Sequence, residues 1–259
     1  MNLNIGLLLG GFSKTFEPSV RGSRFWKRLI NAGIILRKER KMELKYIFLT
    51  VFALVSLIYL ITLSFKPALL QFILKGCLMP LVLAVYITTA GTQNIYWPVV
   101  FALVFAWIGD VLLVRITNIL WFKLGLASFL IGHIFYCIAM YRYIAPFNIT
   151  VLLMSAALAC CFGVILFKIV KPSRQMKIPV IAYEIVILIM AIFALQFFLS
   201  QYIAGGSLFG ILVFAGSILF VASDTLLALR TFRRIKMYFA VMLTYIPAQL
   251  LITLGFCMV

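Results

Sequence analysis

The sequence predicts an all-α fold, a polytopic bundle of about eight membrane-spanning helices. Three observations carry that reading. The 259 residues are 65% hydrophobic and only 11% charged, with a mean hydropathy of +1.17, far more apolar than a soluble domain. The apolar residues fall in repeated runs long enough to cross a hydrocarbon core of about 30 Å, which takes about 20 helical residues. These runs are continuous and not alternating, which excludes the roughly 10-residue strands of a membrane barrel. Backbone groups inside lipid must then be satisfied by helices.

Taken in order, the spans are predicted at 45–64, 68–90, 97–114, 122–142, 148–168, 179–199, 207–229 and 237–258. The pattern is broken at Phe65-Lys66-Pro67, Gly91-Thr92-Gln93-Asn94, Ala145-Pro146-Phe147-Asn148, Lys171-Pro172-Ser173 and Gly205-Gly206, where turn formers and proline interrupt helices. Short loops imply antiparallel neighbours in one domain over residues 42–259. No sequence repeat is strong enough to claim an inverted-repeat transporter. Cys77, Cys137, Cys160, Cys161 and Cys257 all fall in apolar spans. They show neither disulfide nor zinc spacing and are expected as small core side chains.

The net charge of +17 would suit nucleic acid, but its distribution argues against that partner. Loops after odd-numbered spans hold Lys66, Arg115, Lys123, Lys168, Lys171, Arg174, Lys177, Arg230, Arg233, Arg234 and Lys236, whereas loops after even-numbered spans hold only Arg142. Cations beside anionic lipid explain this asymmetry, and the positive-inside rule puts the odd-numbered loops in the cytoplasm. A multi-pass protein of the cell (inner) membrane is expected. Residues 1–41 form a basic N-terminal extension with nine Lys/Arg, on the wrong side by this rule. Either it is a surface amphipathic helix around Arg24–Arg40, or translation begins at Met42 and the conflict disappears. The apolar stretch near residues 3–12 lacks preceding basic residues, so no secretory signal is expected there.

The sharpest feature is where the acid lies. After Glu43 the carboxylates are Asp110, Glu184 and Asp224, all in apolar runs, as are the single histidine His133 and Lys75. A charge at the bilayer centre costs roughly 2.5 kcal/mol or more, so such residues face a protein interior or a wet cavity. Asp110 and Asp224 lie late in spans 3 and 7, whereas Lys75 and Glu184 lie early in spans 2 and 6. Odd and even spans run in opposite directions, so all four fall toward the side of the basic loops. His133, Tyr245 and Gln249 lie nearer mid-depth. The expected arrangement is a cavity opening on that side with titratable groups at its mouth. Each residue also has a structural alternative: Asp110 pairing with Arg115, Asp224 with Arg230, Glu184 with Lys177, His133 as an interhelical hydrogen bonder, Lys75 snorkelling, and Tyr136, Tyr183 and Tyr245 as bundle glue.

The local strings are specific in combination. Trp107-Ile108-Gly109-Asp110-Val111-Leu112-Leu113 is followed by Gly125-Leu126-Ala127-Ser128-Phe129 and by His133-Ile134-Phe135-Tyr136. Ile178-Pro179-Val180-Ile181-Ala182-Tyr183 opens span 6 and Ala222-Ser223-Asp224-Thr225-Leu226-Leu227 closes span 7. Thr244-Tyr245-Ile246-Pro247-Ala248-Gln249 lies in span 8. This set, in this order, resembles the YhhN family of lysoplasmalogenases across about residues 45–258. Lys75, before Gly76 and Pro80, looks like a loosened form of the family's Lys-Pro. Glu184 departs from the family pattern, in which the adjacent tyrosine recurs. Residues 1–41 have no counterpart.

The resemblance implies hydrolysis of the vinyl ether of lysoplasmalogens to a fatty aldehyde and a glycerophospho-alcohol, with no metal or cofactor. It implies a lysophospholipid-type substrate, within membrane lipid. On that basis Asp110 and Asp224 are expected as an acid/base pair with their roles unassigned, and His133 as hydrogen bonder or proton relay. Tyr245 and Gln249 would position water or the ether oxygen, Tyr136 and Tyr183 would contact substrate, and Lys75 with the basic loops would receive the phosphate. The apolar bundle interior would take the alkenyl chain. Paired carboxyls in unlike settings do comparable work in glycosidases, an analogy of chemistry only. Two rivals stand beside it: a zinc hydrolase using His133, Asp110 and Asp224 as ligands, and a proton-coupled small-molecule or lipid transporter. A structural protein with polar helix contacts is a further, non-catalytic alternative.

Overall fold

The computed structural model describes residues 20–65, 68–91, 94–115, 118–144, 147–203, 205 and 208–258, with side chains from Glu43 onward except that of Arg115. Residues 1–19 and the loop residues Lys66, Pro67, Thr92, Gln93, Ala145, Pro146 and Gly206 lie outside the described residues. The chain divides into two units between Glu43 and Leu44. In the first, residues 20–43 are helical; the predicted amphipathic face there concerns side chains outside the described ones.

The second unit is the bundle. The helices are α1 (Val20–Phe65), α2 (Ala68–Ala90), α3 (Trp97–Leu112), α4 (Ile119–Tyr141), α5 (Ile149–Val170), α6 (Lys177–Ile203), α7 (Leu208–Arg233) and α8 (Tyr238–Phe256), with 3-10 turns at Leu113–Arg115 and Arg174–Met176. Among the described residues all regular structure is helical. Seven helices, α1 through its Glu43–Phe65 part, are long and apolar enough to span a membrane, and α3 is shorter. Its 16 residues reach about 24 Å. The 3-10 turn that follows extends it by about 6 Å, so Leu113 and Val114 finish the predicted span in a tighter coil. Asn118 and Asn148 cap α4 and α5 by accepting from the N–H groups of Leu120 and Val151 at 2.9 and 3.0 Å, as short polar side chains do at helix starts.

The helices pack as a ring. α2 contacts α3, α3 contacts α4, α4 contacts α6, α6 contacts α7, α7 contacts α8, and α8 returns to α2. α5 lies outside the ring against α6 and α7, and its most apolar window buries no residue, against half of α4's. α1 joins through Tyr59, whose hydroxyl meets that of Tyr238 at 2.9 Å, and through Thr62, whose carbonyl accepts from Gln71 Nε2 at 2.8 Å. Advancing each ring helix by four maps α2–α3–α4 onto α6–α7–α8 and reproduces every neighbour relation. Four is even, so corresponding helices run in the same direction. Asp110 and Asp224 occupy corresponding places, in Gly109-Asp110-Val111-Leu112-Leu113 and Ser223-Asp224-Thr225-Leu226-Leu227.

The two hairpins α3–α4 and α7–α8 are drawn close by glycine. A Cβ on Gly132 would stand 3.2 Å from the carbonyl oxygen of Ala102, and one on Gly216 would stand 2.9 Å from that of Ala248. Small residues let backbones approach where lipid offers helices no hydrophobic drive to associate. The cysteine expectation is corrected. Cys77, Cys160 and Cys161 are exposed and Cys137 and Cys257 half-buried, because a lipid-facing surface accepts an apolar thiol as readily as a core does.

Candidate functional site

Inside the ring, at the end where α3 and α7 finish and α2 and α8 begin, lies a cavity of about 240 Å³. Its lining includes Gln71 and Lys75 of α2, Asp110 of α3, Asp224 and Arg230 of α7, and Tyr238 and Tyr245 of α8. Helical spacing presents these together: Gln71 and Lys75 are four apart, and Tyr238 and Tyr245 seven apart, so each pair shares a helix face.

Two carboxylates face this cavity in different settings. Asp110 is 1% exposed. Its Oδ1 lies 3.1 Å from the Lys75 ammonium, and its Oδ2 accepts from the Tyr245 hydroxyl at 2.7 Å. Asp224, half-buried, accepts a hydrogen bond from the Tyr183 hydroxyl. Among the described residues Lys75–Asp110 is the sole ion pair, so Asp224 has a phenol and no cation as its partner. The helix corresponding to the lysine's helix supplies the tyrosine. The ring's near-symmetry therefore yields two aspartates of opposite electrostatic circumstance.

The lysine's place is fixed by an unusual acceptor. Pro80 inside α2 has no N–H, so the carbonyl of Gly76 lacks its helical donor. The indole N–H of Trp107 on α3 donates there at 2.9 Å. Lys75 precedes that carbonyl, and Asp110 follows Trp107 by three residues, so one hydrogen bond registers the two partners of the ion pair. Ser223, beside Asp224, donates to the carbonyl of Val241 on α8 at 3.1 Å and ties the second aspartate to the same helix.

The remaining expected residues lie off the cavity lining. His133 is 2% exposed. Its Nδ1 sits 2.6 Å from its own helix's Phe129 carbonyl, and its Nε2 is buried without a partner. The ring stacks edge-on against Tyr183 and Phe220, with centroids 5.5 and 4.6 Å away. It thus contacts the phenol that holds Asp224, but neither aspartate is its hydrogen-bond partner. Tyr136 donates to Gln249 Oε1 at 2.6 Å, and this pair lies in the buried ring interior. Lys75 is occupied by Asp110, so the cation left free of acid on the cavity wall is Arg230, whose guanidinium lies over the Tyr238 ring at 4.4 Å. Sequence reasoning counted Arg230 as loop charge or as a partner for Asp224, not as a free cation on a cavity wall. The signal was the neighbouring Tyr238, seven residues before Tyr245.

Glu184 does not join the polar cavity. It lines an apolar pocket among α5, α6 and α7, and its buried Oε1 has no partner. The alternatives pairing Asp224 with Arg230 and Glu184 with Lys177 are not formed among the described residues, and the Arg115 side chain lies outside them. No group of three or more His, Cys, Asp or Glu is arranged to hold a metal among the described residues, so His133 does not complete a ligand set with the aspartates.

Comparison with curated proteins and with solved structures gives no match. The model of the YhhN family matches residues 70–256. That segment covers well over half of the chain and contains every cavity residue named above. The protein is therefore a multi-pass membrane protein of the YhhN family.

Proposed function

We propose that this protein is a membrane-embedded ether hydrolase that cleaves the vinyl ether of lysoplasmalogens, the activity associated with its family. One observation carries the reading: two carboxylates of unlike setting face one cavity. Vinyl ether hydrolysis needs both. The β-carbon of the alkene takes a proton, leaving an oxocarbenium-like cation at the α-carbon. Water adds there and loses a proton, and the hemiacetal collapses to aldehyde and alcohol. Asp224, partnered by a hydroxyl and no cation, is suited to deliver the proton. Asp110, ion-paired with Lys75, is suited to stabilise the cation and take the proton from water. Tyr245, hydrogen-bonded to Asp110 and lining the cavity, orients that carboxylate. Arg230, planar and free of acid, receives the phosphate.

The purified protein in detergent is expected to release a fatty aldehyde from a lysoplasmalogen, read by coupled aldehyde oxidation. Absence of aldehyde from an intact preparation would overturn the reading. Substrate flux into proteoliposomes without aldehyde would favour the proton-coupled transporter instead.

A further inference from the structure

We infer that the apolar pocket among α5, α6 and α7 is the subsite for the substrate's hydrocarbon chain, with Asp224 at the junction of chain and head. The inference rests on the hydrolase reading and corrects the expectation that the bundle interior takes the chain. Beyond the polar cavity that interior is occupied by buried side chains: Phe197, Phe220, Met190 and Ile252 are 0–1% exposed.

Asp224 lines two cavities. One is the polar cavity that holds Lys75, Asp110 and Arg230. The other, of about 50 Å³, is walled by Phe162, Leu166, Phe167, Ile187, Leu188 and other apolar side chains. Tyr183, hydrogen-bonded to Asp224, lines this second pocket. A single-chain amphiphile with an anionic head and an apolar tail has the same division. With the head at Arg230 and the tail behind Tyr183, the bond joining them lies at Asp224, where the proton is required.

Size decides how the chain is held. About 50 Å³ is far below the roughly 300–1,000 Å³ of pockets that enclose a whole ligand. The pocket adjoins an outer groove of about 320 Å³ between α5 and α6, with Phe167, Glu184 and Leu188 shared by both. Gly163 borders this groove, where a Cβ would stand 3.2 Å from Leu188. Only the first carbons are therefore gripped, and the rest of the chain runs between α5 and α6 into lipid. The lipid-facing character of α5, with Val170 its single buried residue, fits a helix that flanks an exit.

The test is photocrosslinking with a non-hydrolysable alkyl-ether lysophospholipid carrying a diazirine at mid-chain, mapped by peptide mass spectrometry on the full protein. Labels are expected on α5 and α6, at 159–167 and 181–188. Labels confined to α2, α3 or α8 would overturn the inference whether or not the protein is a hydrolase. Turnover gives a second arm. Leu166→Trp and Ala228→Phe, each filling the pocket from a different helix, should cut kcat/KM for a long-chain vinyl ether about ten-fold or more while sparing a soluble short-chain one. Equal loss on both substrates in both variants would count against the subsite. No turnover of either substrate by the unmodified protein would instead sink the hydrolase reading and leave the crosslink map to decide the pocket.

Discussion

The indole N–H of Trp107 donates to the Gly76 carbonyl at 2.9 Å, the acceptor that Pro80 leaves without a helical donor. A proline that would weaken α2 thereby becomes the point at which α2 and α3 are registered, beside Lys75 and Asp110. Trp107→Phe should lower stability by about 1 kcal/mol. In a Pro80→Ala background, where residue 80 again donates to Gly76, the same change should cost half as much or less. Thermal unfolding in detergent over the double-mutant cycle reads the coupling. Equal costs in both backgrounds would refute it.

Asp110→Asn and Asp224→Asn are each expected to lower turnover about a hundred- to ten-thousand-fold, the range for removal of a positioned proton-transfer group. Both proteins should remain folded and monodisperse. Aldehyde release measured at saturating substrate checks this, and activity within ten-fold of the unmodified protein in either variant would remove that residue from the pair.

Stability should separate the same two aspartates. Asp110→Asn strands a buried ammonium, and removing one partner of a buried pair costs about 3–5 kcal/mol. Asp224→Asn strands no charge and should cost less. Lys75→Met should be as damaging as Asp110→Asn, and the double variant Lys75→Met/Asp110→Asn should recover most of the loss. Unfolding midpoints of the four proteins give the answer; a double variant no better than the worse single one would show that the pair is not what matters there.

Arg230→Gln should raise KM for a lysoplasmalogen about 10- to 100-fold, the worth of a charge-assisted hydrogen bond, with little change in kcat. On an alkenylglycerol lacking the phosphate, the variant and the unmodified protein should behave alike. A KM effect of the same size on both substrates would assign Arg230 a structural part only.

Glycine at the α7–α8 contact is predicted to be intolerant. A Cβ on Gly216 would meet the Ala248 carbonyl oxygen and the Ile252 amide nitrogen at 2.9 Å, atoms of backbone that cannot swing aside, whereas one on Gly76 meets nothing within 4 Å. Gly216→Ala should cost about 1–3 kcal/mol and weaken Tyr245's hold on Asp110, while Gly76→Ala should be neutral or slightly stabilising. The two unfolding curves decide it, and the reverse order would contradict the packing.

The class of fold was legible because lipid imposes simple rules on composition and run length, and the helices α2, α4, α5 and α8 begin and end within a few residues of the expected places, whereas α1 starts at Val20, well before the expected 45. The end of α3 was not legible, because whether Leu113 and Val114 coil as α or 3-10 depends on their neighbours. The depth of Lys75, Asp110 and Asp224 followed from helix parity alone. Their partners did not follow. Nothing in the local pattern around Lys75 says that it pairs with Asp110 and leaves Arg230 without an acid partner. Nor does the pattern around His133 reveal that its Nδ1 turns back to Phe129.

By itself, the sequence determined that this is a membrane bundle, that the acids after Glu43 lie within its helices, and that they lie toward the side of the basic loops. Those facts depend on hydropathy and on the fixed rise of a helix, which are local quantities. The tertiary structure alone decided the ring order, the matching neighbours of α2–α3–α4 and α6–α7–α8, and the unequal settings of Asp110 and Asp224. The sequence trace of that match is only the short likeness around the two aspartates. The reason is geometric: which helix faces which is set by side-chain packing between elements far apart in the chain, and a lysine on α2 acquires meaning only once α3 brings Asp110 to 3.1 Å from it.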